Sequence, residues 1–290
     1  MAVVAGPGYD SGVNARILSR SYFAGLAAIP DERIDLVAAS VVLAQDEDPK
    51  LRLSEVAGGF ADLAARSPRL PGAADRPRAE ALAVFLFREE GFSPNEADYY
   101  DPANSFLDHV LQRRTGIPIT LSLVLLEVGR RLGLPLVGVA FPGRFLVRLP
   151  GDPDFFIDPF ARGRILSARG CESLYRRQTD GKGAWSSEFL DPASRKRTLQ
   201  RLLRNLKEIY LRQEDIPRCL AIAEKLAALF PEDLEEIRDR GVLSLHSGSW
   251  VRALADMETY LAGRPEAEDA ELIRSHVKVV RGQIFAGAGA

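Results

Sequence analysis

The sequence predicts an α+β fold in which a helical N-terminal region and a core with a small antiparallel sheet precede an all-α module. Apolar residues recur at helical spacing through the first third of the chain. Three short β-branched or aromatic runs follow between residues 136 and 160, separated by Pro, Gly and Asp. From about residue 196 the pattern is helix, turn, helix to the end. We therefore expect two domains, residues 1–192 and 193–290.

Composition narrows the class of protein. The chain has 290 residues, 46% of them hydrophobic, and is long enough to bury a sizeable core. Its 38 basic and 40 acidic residues give a net charge of -2, so no overall field favours nucleic acid or an anionic membrane. No apolar run reaches the roughly 18 residues of a membrane-spanning helix. The start, "MAVVAGPGYD", does not resemble a signal peptide, and we expect a cytoplasmic protein.

Helices are predicted through the first part of the chain. The apolar spacing favours helices over 31–46, 51–66 and 76–91, with a Pro/Gly-rich loop at 66–77. "FLDHVLQRR" (106–114) predicts a short helix with Asn104 or Ser105 as its N-cap. "GIPITLSLVLLEVGRRLGLP" (116–135) is apolar nearly all round and predicts a buried helix that starts near Pro118.

The stretch "FPGRFLVRLPGDPDFFIDPF" (141–160) predicts a hairpin, preceded by a strand in "LVGVAF" (136–141). If its turn makes Leu149 face Phe155, Arg144 and Asp158 are diagonal neighbours on one face and form a salt bridge. A shift of one residue in the register would place them on opposite faces.

A repeat occupies the last third of the chain. "RCLAIAEKLAALFP" (218–231) aligns with "RALADMETYLAGRP" (252–265) at an offset of 34 residues. This is the tetratricopeptide period, with small residues where paired helices approach and a proline after the second helix. The preceding segment, 194–212, combines a leucine face with a basic face. The basic face is interpreted as the solvated side of an amphipathic helix, with a nucleic-acid or acidic-partner surface as the alternative.

Candidate catalytic groups cluster around the central helix and the hairpin, but two essential types are missing there. A thiol-based amide-transfer site needs a cysteine at a buried helix start, with a histidine base and an orienting acid nearby. The helix start carries Thr120 and Ser122, and the hairpin carries Arg144 and Asp158. Arginine stays protonated near neutral pH and cannot act as the base.

The cysteines and histidines lie elsewhere in the sequence. Cys171 is expected in a loop after the strands, and Cys219 at a buried small-residue position of the repeat. His109 is the one histidine that we consider as a base, and a structural role is the alternative. No metal-ligand spacing and no phosphate-binding glycine loop is present in the sequence, so no cofactor is expected.

Several blocks in order resemble one known family. They are "LFREEGFSPNEADYYDPANSFLDHVLQRRTGIPITLSLVLLEVGRRLGLPLVGVAFPGRFLVR", "FIDPF", "RLLRNLKEIYL" and "RDRG". The chain resembles the SirB-type proteins, in which a transglutaminase-like (papain-like) core precedes tetratricopeptide repeats. Members of this family generally lack the cysteine nucleophile. The resemblance implies a Pro-Gly-His-Phe-Leu strand motif, so Arg144 in "PGRFL" stands where the family has histidine, and Asp158 matches the orienting acid.

The sequence thus favours a pseudoenzyme: a non-catalytic adaptor or regulatory protein with a protein or peptide partner. The candidate binding residues are Asn104, Arg113, Arg114, Arg144, Asp158, Asp239 and Arg240. The alternative is an amide-bond hydrolase or transamidase that uses Thr120 or Ser122 as its nucleophile. The sequence does not identify the partner, the oligomeric state, or which of the two surfaces, repeat groove or core cleft, binds it.

Overall fold

The computed structural model describes residues 11–287, with side chains for 16–286. Its contacts form two compact units. One, the core unit, consists of Pro30–Ala44 and Lys50–Leu202. The other, the repeat unit, contains residues 11–29, the segment Gln45–Pro49 and residues 203–287 of the described chain. The division of the chain into domains 1–192 and 193–290 stays a prediction.

The described chain contains helices in the predicted regions and two further helices, Ser11–Ala28 and Ala168–Gln178. Their bounds are α1 Ser11–Ala28, α2 Leu36–Ala44, α3 Leu53–Arg66, α4 Asp75–Val84, α5 Leu107–Arg113, α6 Pro118–Arg131, α7 Ala168–Gln178, α8 Arg195–Arg212, α9 Ile216–Leu229, α10 Leu234–His246, α11 Trp250–Gly263 and α12 Ala270–Gly287. Short 3₁₀ segments cover Asp31–Arg33, Pro102–Ser105, Pro159–Ala161 and Ser187–Leu190, and a π-helical turn covers Phe85–Glu89.

An antiparallel sheet of four short strands lies in the core unit. The strands are β3 Val137–Val139, β4 Leu146–Arg148, β5 Phe156–Asp158 and β6 Arg164–Leu166, in that spatial order. A separate two-residue parallel pair joins β1, Ser93–Pro94, to β2, Thr115–Gly116. Val147 faces Ile157 and Arg148 faces Phe156, which is the register that pairs Leu149 with Phe155. The predicted hairpin register is confirmed.

Helix α6 forms the centre of the core unit, as its continuous apolar sequence predicts. Leu121, Val124, Leu125 and Val128 are fully buried, and the helix contacts α3, α4, α5 and strand β4. Pro118 occupies the first turn, where its missing N–H leaves no helical hydrogen bond unmade. The helix start is therefore held rigidly inside the core.

Two local predictions were wrong. Helix α5 starts one residue later than predicted, and its N-cap is Phe106, which provides no side-chain hydrogen bond. Asn104 and Ser105 instead lie in the preceding 3₁₀ turn, which Asp101 caps by accepting a hydrogen bond from the Ala103 N–H. Cys171 lies in the first turn of α7 and not in a loop, because Ser167 caps that helix through the N–H of Gly170.

The repeat unit preserves the 34-residue period in its helix bounds. Helix α9 runs from 216 to 229 and α11 from 250 to 263, so that both ends differ by 34 positions. Helix α10 packs closely against α11, since a Cβ atom on Gly241 would stand 2.9 Å from the Cβ of Asp256. Such helix pairs are the units of a tetratricopeptide array. In the described part of the chain, no helix is both long enough and apolar enough to cross a membrane.

Candidate functional site

Thr120 at the start of α6 is fully buried and bonded to main-chain groups. Its Oγ1 lies 2.7 Å from the carbonyl oxygen of Asn104, to which it donates, and accepts a hydrogen bond from the Ile117 N–H at 3.1 Å. Gly116 leaves room for this hydroxyl, since a Cβ there would approach Oγ1 to 2.7 Å. The hydroxyl therefore ties the helix start to the preceding 3₁₀ turn.

Ser122, two residues further along the helix, joins α6 to the hairpin. Its Oγ lies 2.8 Å from the carbonyl oxygens of both Pro118 and Phe145, so its single proton has two main-chain acceptors. Because Phe145 follows Arg144 directly, this contact brings the helix start beside the hairpin residues that the sequence singles out. The side chain is fully buried.

A tight turn presents Arg144 at the entrance of β4. The Arg144 N–H donates to the Phe141 carbonyl at 3.0 Å, Pro142 follows at the first central position, and Gly143 takes a φ of 66° at the second. This arrangement is a type II turn, which requires a residue that tolerates positive φ at its second central position. The "PGR" sequence thus fixes the backbone position from which the Arg144 side chain extends.

Arg144 and Asp158 form the predicted ion pair. Arg144 Nε lies 3.8 Å from Asp158 Oδ2, which is an ion-pair distance but too long for a hydrogen bond. The guanidinium carbon stands 4.6 Å from the centre of the Phe160 ring, a cation–π contact. Asp158 Oδ1 accepts hydrogen bonds from the N–H groups of Phe160 and Ala161, so the same carboxylate caps the following 3₁₀ turn.

Burial dominates the electrostatics of this pair. The Asp158 side chain is only 3% exposed, whereas 27% of Arg144 is exposed. Burial raises the pKa of Asp158 above its ordinary value, against the opposing effects of Arg144 and of the two N–H donors. Proton transfer near neutral pH would need a second group beside Asp158 that can give up or take a proton. Arg144 cannot be that group, because arginine stays protonated at this pH.

Both cysteine thiols are buried, and their pKa values are raised. Cys171 is fully buried, and burial, followed by the negative charges of Asp158 and Asp154, raises its pKa to about 12. Burial also raises the pKa of Cys219 to about 11. A thiolate nucleophile needs the opposite shift. Helix α7 thus places Cys171 near Asp158 without activating it.

No histidine contacts either hydroxyl within the described residues. His109 is about half exposed, with its Nε2 3.8 Å from the Asp108 carboxylate and its ring beside Phe106. The hydrogen bonds of Thr120 and Ser122 go to main-chain atoms instead. Among the described residues, no three His, Cys, Asp or Glu side chains stand together as metal ligands.

The candidate binding residues near the helix start have structural contacts. Asn104 is fully buried, donates to the Asp98 carbonyl and accepts from the side chain of Asn95. Arg113 pairs with Asp101 at 2.7 Å. Arg114 has a positive φ of 55°, stacks on Phe92 and lies 3.3 Å from Glu90. These three residues shape the loop before α6.

Asp239 and Arg240 do not pair with each other. Asp239 contacts Lys207 and Arg238, each at 2.7 Å, whereas Arg240 makes a two-point contact with Asp256. The Lys207 ammonium also bonds the buried Glu236 carboxylate at 2.8 Å. Part of the predicted basic face of α8 is therefore used for pairing with α10 through Lys207, which belongs to the repeat unit as α10 does.

Two family models match the chain. One described as the transglutaminase-like superfamily matches residues 51–204, and one described as a tetratricopeptide repeat matches residues 206–278. The first covers the helices and strands that carry Thr120, Ser122, Arg144 and Asp158. The second covers the helices that show the 34-residue period.

Curated relatives extend over most of the chain. A "UPF0162 protein" of Xylella fastidiosa is 35% identical over 259 residues, which cover 87% of this chain and 92% of the relative. "Protein SirB1" of Salmonella typhimurium is 30% identical over 204 residues, 69% of this chain and 75% of the relative. "F-box only protein 21" of Mus musculus is 30% identical over 183 residues, 59% of this chain but 28% of the relative. No solved structure matches.

Proposed function

Because the chain belongs to the SirB-type family, with a transglutaminase-like core followed by tetratricopeptide repeats, we propose that it is a non-catalytic adaptor or regulatory protein that binds a protein or peptide partner. A fold does not determine a chemistry, so the proposal rests on the residues at the site. A cytoplasmic location and a division of the chain into domains 1–192 and 193–290 belong to the same proposal.

The observation that carries the proposal is the bonding of the two hydroxyls at the start of α6. Thr120 and Ser122 both donate to main-chain carbonyls, and neither contacts a base in the described structure. A hydroxyl nucleophile needs a base within hydrogen-bond reach. Arg144, at the position of the family's histidine, keeps its proton near neutral pH. The arrangement supports a structural role for these groups.

Partner binding is supported by the repeat module. Stacked helical repeats present extended surfaces, and tetratricopeptide repeats generally mediate protein interactions. In the core unit, Arg144 offers a second contact point: its guanidinium group is partly exposed and makes no hydrogen bond within the described chain. An acidic group of a partner is the complement to such a guanidinium.

The catalytic half of the proposal is tested with the full chain, a glutamine-containing peptide and a fluorescent primary amine. We expect neither amine incorporation nor ammonia release above background, and the same for Arg144→His, because that variant still lacks an activated nucleophile. Turnover that disappears in Thr120→Val or Ser122→Ala would establish the enzyme instead. Circular dichroism of both variants shows whether a loss of turnover reflects unfolding.

The binding half is tested by affinity capture with the full chain, followed by titration calorimetry of each recovered protein after its separate purification. Direct binding with a defined stoichiometry is the expected result. If none of the recovered proteins binds the purified chain, the adaptor proposal is rejected.

A further inference from the structure

A cleft of about 810 Å³ lies in the core unit, away from the contacts of Thr120 and Ser122. One wall is formed by α4 and the π-helical turn, including Val84, Phe87 and Arg88. The other wall is the segment 161–165, which includes the turn between β5 and β6. Gly163 joins the walls: its φ is 74°, and a Cβ on it would stand 2.6 Å from the Phe87 ring. The close packing of Gly163 against Phe87 therefore holds the two walls of the cleft in place.

Three arginines on these walls lack a partner. Arg88, Arg162 and Arg164 are all exposed and line the cleft, and within the described residues their guanidinium groups make no hydrogen bond or ion pair. Arg164 faces Asp158 across β5 and β6 and acts on that buried carboxylate only through its field. In most other arginines near the core, the guanidinium group is paired, as in Arg113 and Arg131.

The negative charge in the cleft lining is already compensated. Glu80 belongs to the lining, but its carboxylate lies 3.1 Å from Arg76 Nε. The charges that remain in the cleft lining are those of the three arginines, so the electrostatic potential there is positive although the whole chain has a net charge of -2. The positive charge therefore comes from the local arrangement of these arginines and not from an excess of basic residues in the chain.

The surface between the arginines is apolar. Val84 is 44% exposed, and Phe87 and Ile165 also contribute to the lining. An exposed valine beside unpaired guanidinium groups suits a ligand that alternates apolar and acidic side chains. Arginine is the cation best matched to carboxylates, because its planar fork donates two parallel hydrogen bonds.

We propose that the cleft lined by Arg88, Arg162 and Arg164 binds an acidic, amphipathic peptide segment of a partner protein. The inference rests on the proposed binding role and assigns it a surface in the core unit. Charge complementarity argues for this occupant, and the apolar wall argues against a nucleic-acid backbone, which would need phosphate contacts along its length. Arg162 also holds a left-handed conformation with a φ of 54°, which is costly for a residue with a Cβ.

The test is a fluorescence-anisotropy titration of the full chain with a labelled peptide in which glutamate alternates with leucine. The test variant combines Arg88→Gln, Arg162→Asn and Arg164→Gln, with asparagine chosen because it tolerates positive φ. The matched control variant combines Arg33→Gln, Arg69→Gln and Arg177→Gln, three exposed arginines outside this cleft with the same total charge change. Two control probes are the same peptide with glutamine for glutamate, and oligothymidine.

We expect the acidic peptide to bind the wild-type chain, more weakly as salt rises, and to bind the test variant at least about tenfold more weakly. The control variant should differ by less than about twofold, and the glutamine peptide should bind weakly. Absence of binding, an equal loss in the control variant or equal binding of the glutamine peptide would overturn the inference. Tighter, cleft-dependent binding of oligothymidine would replace the peptide by a phosphate polyanion.

The two proposals can fail separately. If the test variant still binds the calorimetrically verified partner as the wild-type chain does, the cleft assignment is wrong while the adaptor role stands. If amide turnover is found, the adaptor role fails whatever the cleft binds.

Discussion

Arg144 and Asp158 face each other across the hairpin at 3.8 Å, with the carboxylate buried and the guanidinium group partly exposed. The two side chains do not contribute symmetrically. Asp158 also accepts two main-chain hydrogen bonds through its other oxygen, whereas the Arg144 side chain makes this ion pair and a contact with the Phe160 ring. Asp158 therefore serves as a structural cap, whereas the Arg144 guanidinium group remains partly accessible to a binding partner.

This asymmetry predicts unequal costs of mutation. Asp158→Ala should lower the free energy of unfolding by about 2–4 kcal/mol, since it leaves two N–H groups without their acceptor and Arg144 without its anion. Arg144→Ala should cost about 1 kcal/mol. The double variant should cost less than the sum by about 0.5–1 kcal/mol. Urea unfolding of the full chain measures all three, and strict additivity would show that the ion pair contributes nothing.

The raised pKa of Asp158 predicts a pH dependence of stability. Because burial raises this pKa above the ordinary 3.8, the folded state binds more protons than the unfolded state as pH rises beyond that value. The contribution of Asp158 is thus fully present below about pH 3.8 and is lost as pH rises through its folded pKa. The unfolding free energy of the wild-type chain minus that of Asp158→Asn should fall over this window. A difference that rises with pH would mean that the pKa is lowered instead.

The hairpin was predictable because its signals are local. Pro142 and Gly143 specify the turn before β4, and the Pro, Gly and Asp residues of 150–154 specify the turn between the two arms. The sequence left two registers open, one residue apart, and the pairing of Val147 with Ile157 selects the one in which Leu149 faces Phe155. Strand β6 was missed because its three residues, Arg164–Leu166, are too few to show an alternating pattern. The strand exists because β5 provides its hydrogen-bonding partner.

The contacts around the site were less predictable than its scaffold. Thr120 was recognisable as a helix-start residue, but its hydrogen bond to Asn104 joins residues that are 16 positions apart. The basic cleft was not recognised, because Arg88 and Arg162 lie far apart in sequence and only the packing of Gly163 on Phe87 brings their segments together. The spacing of residue types along a sequence predicts local helices and strands, but it does not predict contacts between residues that are far apart in the sequence.

The buried thiols predict slow chemical labelling. Burial raises the pKa of Cys171 to about 12 and that of Cys219 to about 11, so neither is a thiolate near neutral pH. In the native chain both cysteines should react with a thiol reagent far more slowly than in denaturant, where the two expected equivalents react at once. Mass spectrometry of the labelled peptides assigns each site. Rapid labelling of Cys171 in the native chain would contradict its burial and reopen a role for this thiol.

The segment Gln45–Pro49 belongs to the repeat unit and makes two ion pairs with α9, one of which yields the last prediction. Glu47 pairs with Arg218 at 2.8 Å, and Asp46 pairs with the fully buried Lys225 at 2.5 Å. Asp46→Ala should lower the free energy of unfolding by about 3–5 kcal/mol, because the buried Lys225 ammonium then loses its carboxylate partner and keeps its hydrogen bond to the Ala221 carbonyl.

Removing both charges should undo most of that loss. The double variant Asp46→Leu with Lys225→Met should recover much of the stability, since apolar residues of similar volume often replace a buried pair without cost. Glu47→Ala is the matched control, because its pair with Arg218 is solvent-exposed and should contribute less than about 1 kcal/mol. Urea unfolding of the full chain measures each variant. Equal effects of Asp46→Ala and Glu47→Ala would show that the Lys225 ammonium reaches water, and that burial of this pair does not hold the segment.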